Sequence, residues 1–406
     1  MARIDDVITD LTGTRANRRD LMKRAAAIGI AAPALSLVGP AALRGALTAH
    51  AQAKTNVIWV SPRASIEVLD DYPYWVAKKL GYFGDIETEL LPAIQEATSS
   101  SKAVADGNAD MSYVSPGVFS LGVEAGIDLV SVFQMGAYDV FDIAVQKGNP
   151  TGIMSPKDLE GKTVALGDIG WSSIVDPMVA QAGGDPSLVK YQPAGIAGWG
   201  PALQNGDADA ALSWAGLRAQ WLAGGLDFDY ILGKSSSKFP ANAFQIRRSD
   251  VEDAALTELY TNYLKGWAMG MEFGHHNPRA AVQITMEAEE ISAALNATFT
   301  DKAIAVDSMW QLADVYRGDW TTRDGGKWGF HSVESWTLFL DTIKEIDQLT
   351  DKDITAEDII TNAYVDGANE FDKAKVKAEA DAYELTPEFA AVAVPEGAGS
   401  DGAYPS

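Results

Sequence analysis

From Asn56 to about residue 250, apolar positions come in short runs that alternate between strand-like and helix-like spacing. NVIWVS (56–61) is apolar, β-rich and stopped by Pro62, which predicts a buried first strand. Pro73 to Leu80 reads as a helix leaving at Gly81, and Ile86 to Leu91 as a second strand. Ala97 to Asp106 predicts a polar helix and Met111 to Val114 a third strand. Residues 127–134 and 140–146 add two β-like runs before the pattern breaks at Lys147-Gly148-Asn149-Pro150, where a connection between lobes is expected. The series restarts on a cap: Ser155, Pro156 at the first helical position, Asp158 three beyond the cap and Gly161 at the exit. Thr163–Leu166 and Leu188–Gln192 then read as strands around a helix over Trp171–Ala182. Tyr230–Leu232 and Phe244–Ile246 follow, with Pro240-Ala241-Asn242 as a return crossing. Asp250 to about Phe299 and Asp301 to Tyr316 are helical. Trp320, Trp328 and Trp336 are expected to pack the C-terminal helices onto the first lobe. Residues from Pro395 onward form a solvated tail.

Two stretches in this series are nearly the same. ADGNADMSYVSPG (105–117) and QNGDADAALSWAG (204–216) place Gly107, Ala109, Asp110 and Gly117 on Gly206, Ala208, Asp209 and Gly216. Each follows a helix, turns on Gly-Asn or Gly-Asp, and enters an apolar run. The unit is strand, loop, helix, tight turn, strand, and it occurs twice. Its length suits two α/β lobes rather than a solenoid, and open α/β sheets bind ligands at the carboxyl ends of their strands. Ser115 and Trp214 stand just past equivalent strands and are expected to face one cleft.

Charge narrows the partners. The chain carries −24 at pH 7; residues 1–53 hold seven Lys/Arg and four Asp/Glu, a balance of +3, which leaves −27 on the remainder. Such a surface repels nucleic acid and anionic lipid. Cysteine is absent, which excludes disulfides, thiol nucleophiles, Cys-type zinc sites and a lipid-bearing N-terminal cysteine. Beyond residue 53 the histidines are His275, His276 and His331. His275 and His276 are adjacent and point to different sides of a helix, so no metal, cofactor or catalytic site is read here.

A binding reading finds more. Gly167 to Ser173 joins a strand to a helix, so the amides of Ser172 and Ser173 would present a helix N-terminus, with about half a positive charge, to a cleft. Simple capping by Ser172 is the plainer alternative. Trp59, Trp171, Trp199 and Trp214 sit at or just beyond strand ends and predict a partly aromatic cleft. Tyr138 and Asp139 lie in the turn between two first-lobe strands, Asp168 precedes the Ser172 helix, and Asn242 lies on the return crossing. Arg63 pairs either with an acidic ligand group or with Asp70 and Asp71. The Gly-rich Gly195–Gly200 segment is read as a loop for close backbone approach. Asp139 and Asp168 would repel a plain anion and accept from an amine or ring N–H. A nitrogen heterocycle or an aromatic or zwitterionic acid is therefore expected over nitrate or a simple sulfonate.

The order of four motifs resembles the solute-binding proteins of ABC importers, in the branch serving nitrate, alkanesulfonates, taurine and thiamine-pyrimidine precursors. They are WVAKKLGYFGDIETELLP (75–92), ADGNADMSYVSP (105–116), SPKDLEGKTVALGDIGWSS (155–173) and ALQNGDADAALSW (202–214). ITAEDIITNAYVD (354–366) is similar to the family's closing phrase. The resemblance implies an α/β, two-lobed, type II-like periplasmic binding fold with two crossing strands and extra C-terminal helices. Lobe one is expected over 54–146 and 243–392, lobe two over 147–242, and a tail over 393–406. It also implies a monomer that traps a small-molecule solute by lobe closure and hands it to an inner-membrane permease. The chain departs from the family pattern in Pro62–Pro73, a longer loop holding Arg63, Glu67, Asp70 and Asp71. Two rival readings are a pyrimidine-metabolism enzyme of the same fold and a periplasmic ligand sensor. The enzymes of that kind rely on cysteine and consume their own histidine, and this composition argues against them.

Residues 1–53 read as an address. Asn17 to Lys23 (NRRDLMK) resembles the twin-arginine export motif, followed by a weakly apolar Ala/Gly-rich stretch with Arg44 near its end. Ala51-Gln52-Ala53 has the small-x-small form of a cleavage site, placing the mature start near Lys54 and the product free in the periplasm. Replacing Arg18 and Arg19 together by Lys is expected to strand the precursor in the cytoplasm. Fractionation showing normal periplasmic accumulation of that variant would overturn this reading.

Overall fold

The computed structural model describes residues 54–93, 97–318 and 326–400. The export motif, the cleavage site and Trp320 lie outside them. Strands β1 (Asn56–Val60), β2 (Glu87–Leu91), β3 (Met111–Val114) and β4 (Leu129–Gln134) belong to one sheet. Strands β5 (Phe141–Gln146), β6 (Thr163–Leu166), β7 (Lys190–Pro193), β8 (Ala210–Trp214) and β9 (Phe228–Ile231) form a second. Strand β10 (Ala243–Arg247) returns to the first.

The two sheets share one plan. Their orders are β2-β1-β3-β10-β4 and β7-β6-β8-β5-β9. In the first, β1 runs parallel to β2 and β3 while β10 is antiparallel to β3 and β4. In the second, β6 runs parallel to β7 and β8 while β5 is antiparallel to β8 and β9. Each lobe thus takes one antiparallel strand directly after a crossing, and the chain crosses twice.

The first crossing differs from the expectation. Residues 141–146 lie inside the second sheet, so the chain changes lobes at residues 135–140 and not at 147–150. The 127–134 and 140–146 runs are equally apolar, and apolarity predicts burial without saying in which sheet. Lys147–Pro150 is a tight exit from β5, with Gly148 at φ 78° and Asn149 at φ 48°.

Helices flank both sheets: α1 (Tyr72–Leu80), α2 (Ser99–Ala105) and α3 (Pro116–Glu124) in the first lobe, α4 (Ser172–Gln181), α5 (Trp199–Asn205) and α6 (Ala215–Ala223) in the second. Helices α7 (Ala254–His276), α8 (Lys302–Arg317) and α9 (Val333–Glu345) follow the return to the first lobe. Trp336 donates its indole N–H to Gln134 Oε1 on β4 at 2.9 Å, and Trp328 donates to Glu272 Oε2 on α7 at 2.8 Å. Both therefore tie the C-terminal region to lobe one. Among the described residues no helix is long and apolar enough to cross a membrane.

The sequence repeat becomes a repeated device. Gly107 (φ 75°) and Gly206 (φ 80°) take left-handed turns after α2 and α5. The aspartate three residues on then clamps the neighbouring parallel strand twice. Asp110 donates its amide to Ile58 O at 2.7 Å and accepts the Ile58 amide on Oδ2 at 2.7 Å. Asp209 does the same with Thr163, at 2.9 and 2.8 Å. The carboxylate supplies the acceptor for an amide that the ladder would otherwise leave bare.

Ser115 and Trp214 are the N-caps of α3 and α6, each at the carboxyl end of its strand. Two residues further on, the repeat's glycines let the lobes touch. A Cβ on Gly117 would lie 2.3 Å from the Ser173 carbonyl oxygen of lobe two. A Cβ on Gly216 would lie 2.4 Å from Leu312 Cδ1 and 2.6 Å from Asp70 Oδ1 of lobe one. Both contacts carry a bond beside them: Gln348 Nε2 donates to Ser173 O at 3.2 Å, and Ser308 Oγ donates to Gly216 O at 2.7 Å. The lobes are closed on one another. Because Gly117 has an ordinary helical backbone, Gly117→Val is expected to fold but to hold the lobes apart. Solution scattering should show a larger radius of gyration with unchanged circular dichroism; an unchanged radius would refute this.

Three buried carboxyls of the crossing and lobe two carry a second expectation. Burial pushes Asp139 up to about 7, Asp142 up to about 6 and Asp176 up to about 7. The folded state holds these protons more tightly than the unfolded chain, whose carboxyls titrate near 4. Their contribution to stability therefore falls as pH rises from about 4 to about 7 and levels off above, outweighing the opposite, smaller effect of His275, which burial lowers to about 3. Denaturant midpoints are expected to be higher at pH 5.5 than at 7.5, and Asp176→Asn should flatten the slope. A midpoint that rises with pH over this range would contradict the assignment.

Candidate ligand-binding cleft

A partly open cavity lies between the lobes at the carboxyl ends of β3 and β8. Lobe one supplies Arg63, Asp70, Tyr113 and Ser115; lobe two supplies Trp171 and Trp214. Asn242 enters from the return crossing, and Leu312 and Tyr316 enter from α8.

The polar wall is built on Arg63. Its Nη2 donates to Asp71 Oδ2 at 2.7 Å and to the Tyr113 hydroxyl at 2.9 Å, and the Tyr113 hydroxyl in turn donates to Asp71 Oδ1. Its Nη1 stands 3.6 Å from Asp70 Oδ2. Burial works against the guanidinium charge, but the carboxylates of Asp71 and Asp70 outweigh it and hold Arg63 well above its usual value. Arg63 Nε is buried without a partner, and so is Asn242 Oδ1.

Asp70 links the lobes. Its Oδ2 accepts the indole N–H of Trp214 at 2.9 Å across the cleft. Burial pushes this carboxyl up to about 6; Arg63 and the Trp214 bond pull it down, and Asp71 pushes it further up.

The aromatic wall has two layers. Trp171 and Trp214 face the cavity, and Trp199 lies buried behind them with ring centroids at 5.5 and 5.9 Å. Gly167 makes room for the pair, since a Cβ there would meet both the Trp171 and Trp199 rings at 2.7 Å. Trp199 continues into Trp221 at 6.0 Å, a small apolar core of lobe two.

Arg63, Ser115, Trp171, Trp214 and Asn242, all expected from sequence, thus come together in one cavity. The other expected residues do not line it. Trp59 is buried in the first-lobe core among Tyr74, Tyr113 and Trp267, and reaches the cleft only through Tyr113, on which it stacks. Tyr138 packs beside Gly318, and Asp139 caps the start of β5 by accepting the Phe141 amide at 3.0 Å. Asp168 is spent on the Gly170 amide at 2.8 Å. The Ser172 amide bonds back to Ile169, and Ser173 Oγ donates to Gly170 O at 2.7 Å, so the helix start is satisfied from within. The Gly195–Gly200 loop is close-packed, as a Cβ on Gly198 would sit 2.1 Å from Ala194 O, but it packs on its own lobe and not on the cavity.

Sequence reasoning missed Asp70, Tyr113, Leu312 and Tyr316 as wall residues. From sequence Asp70 is visible only as a partner for Arg63. Its loop, longer than the family pattern, is the signal that could have found it.

Residues 70–265 match a family model described as NMT1/THI5 like. No curated protein matches the chain by sequence. Solved structures of similar fold include the alkanesulfonate-binding protein of Xanthomonas axonopodis pv. citri, bound to MOPS. It is 12% identical, with a TM-score of 0.55, and the match covers 76% of this chain and 99% of that one. The ligand-binding component of an ABC-type import system from Staphylococcus aureus is 11% identical, with a TM-score of 0.56 and coverage of 78% and 100%. The nitrate-binding protein of Synechocystis is 12% identical, with a TM-score of 0.53 and coverage of 82% and 99%. The chain thus has the two-lobed fold of these solute-binding proteins, and its residues 70–265 are similar to the NMT1/THI5-like model.

Proposed function

We propose that the protein captures a small organic solute between its lobes in the periplasm and delivers it, as a monomer, to an inner-membrane ABC permease. The observation that carries this reading is the cavity itself. Contacts between the lobes flank it, and Trp214 of one lobe is bonded to Asp70 of the other at its wall. Parting of the lobes would widen such a site and free what it holds.

The solute is a nitrogen heterocycle or an aromatic acid rather than nitrate or a simple sulfonate. Trp171, Trp214 and Tyr113 offer ring faces, each worth roughly 0.5–1.5 kcal/mol beyond area burial for a stacked partner. A small inorganic anion uses none of them. Arg63, the guanidinium at the wall, is already matched by Asp71, and Asp70 stands beside it. The role given from sequence to Asp139 and Asp168 passes to Asp70.

A catalytic reading finds little to work with. His331 is buried against Ser131 and Asn362, and His275 and His276 lie on α7, away from the cavity. The sensor reading shares the same cleft, and neighbouring genes for a permease and ATPase, as against a histidine kinase, would separate the two.

Native mass spectrometry should release a small molecule from the purified protein, and calorimetry should then give micromolar or tighter affinity, about −8 kcal/mol. Trp214→Ala is expected to weaken that affinity at least tenfold by removing both a ring face and the bond to Asp70. Tight binding of nitrate or taurine, undiminished by Trp214→Ala, would overturn the aromatic-cleft reading.

A further inference from the structure

The charged side chains on the cavity wall are Arg63 and Asp70, and they are not equivalent. Arg63 has a second carboxylate, Asp71, at 2.7 Å, besides the Asp70 carboxylate that binds Trp214. One positive charge is therefore set against two negative ones, and the excess sits on Asp70. Helix starts do not redress this. The Val118 amide of α3 is taken by Ser115 Oγ at 3.1 Å, and the Ala215 amide of α6 by Val140 O at 3.0 Å.

The unpartnered atoms are as telling as the charges. Arg63 Nε–H is one buried donor with nothing to give to, and Asn242 Oδ1 is one buried acceptor with nothing to take from. An unmatched buried donor or acceptor is costly, so a ligand that reaches either atom gains by pairing it. Asp70 has room for a further bond, since a carboxylate offers about four lone-pair sites and Trp214 uses one.

We propose that Asp70 is the specificity-determining residue of the cleft, selecting neutral or cationic ring compounds that carry an amide- or amidine-like edge and rejecting acids. The ligand's N–H groups go to Asp70 and Asn242, and its carbonyl or ring-nitrogen acceptor, where it has one, takes the Arg63 Nε–H. The ring lies against Trp171 and Trp214. A carboxylate or sulfonate on the same ring meets Asp70 instead and leaves Asn242 Oδ1 unmatched. The inference rests on the capture reading and decides between its two ligand classes: the heterocycle stands and the acid falls.

Three probes with one ring and different charge test this: benzamide, benzamidine and benzoate, titrated by calorimetry into the exported protein after bound solute is removed. Benzamide and benzamidine are expected to bind at least tenfold more tightly than benzoate. In Asp70→Asn the gap between benzamidine and benzoate should shrink at least tenfold, with circular dichroism confirming the fold. Benzoate binding as tightly as the other two, or a gap unmoved by Asp70→Asn, would overturn the proposal. The native ordering alone decides if the variant does not fold. If none of the three binds and the co-purifying molecule is an acid, the specificity proposal fails while capture stands. If none binds and nothing co-purifies, both fail.

Discussion

An arginine taken out of water has to be matched by charge, and the first-lobe wall is arranged around that demand. Left alone at this depth, Arg63 would cost several kcal/mol. Asp71 and Tyr113 meet it from two elements, the loop before α1 and strand β3. Asp71 has a second duty, because its carbonyl accepts the Tyr74 and Trp75 amides that start α1. The same residue fixes the guanidinium and the helix, so the loop between Pro62 and Asp71 has little freedom. Asp70, its neighbour in the chain, is thereby held where Trp214 of the other lobe can reach it.

The two lobes solve one folding problem in the same way and then meet through the same positions. The repeated aspartates close the ladders, the repeated left-handed glycines turn the chain into β3 and β8, and the residues at the strand ends face one cavity. What differs is chemistry. Ser115 spends its hydroxyl on its own helix, whereas Trp214 sends its indole across the gap. The duplicated frame thus yields an asymmetric site, polar toward lobe one and aromatic toward lobe two.

Much of this frame was legible in the residues, because strand period, glycine turns and the Asp110/Asp209 echo are local signals. Lobe membership was not. Residues 127–134 and 140–146 both read as buried strands, and only pairing partners far along the chain separate them. The site was legible in part for a similar reason. A tryptophan near a strand end points into the cleft or into the core depending on a single step of the alternation. Trp214 ends its strand and reaches the cavity, while Trp59 stands one residue before the end of β1 and is buried. Asp139 and Asp168 carry the right chemistry, but backbone amides next to them in sequence claim it first.

The double crossing also sets an order of assembly. Strands β5 to β9 are contiguous in sequence, so the second sheet has every strand it needs once residue 231 is available. The first sheet does not. Its strand β10 sits between β3 and β4, and until it arrives those two have no common neighbour and expose unpaired backbone on facing edges. The pairing of Ala243 with Val114 spans the whole of lobe two, a long loop closure of the kind that slows folding. Lobe two is therefore a finished body hung from an unfinished one. The late insertion of β10 brings the lobes into register and makes Asn242, the residue just before it, among the last parts of the cleft wall to be placed.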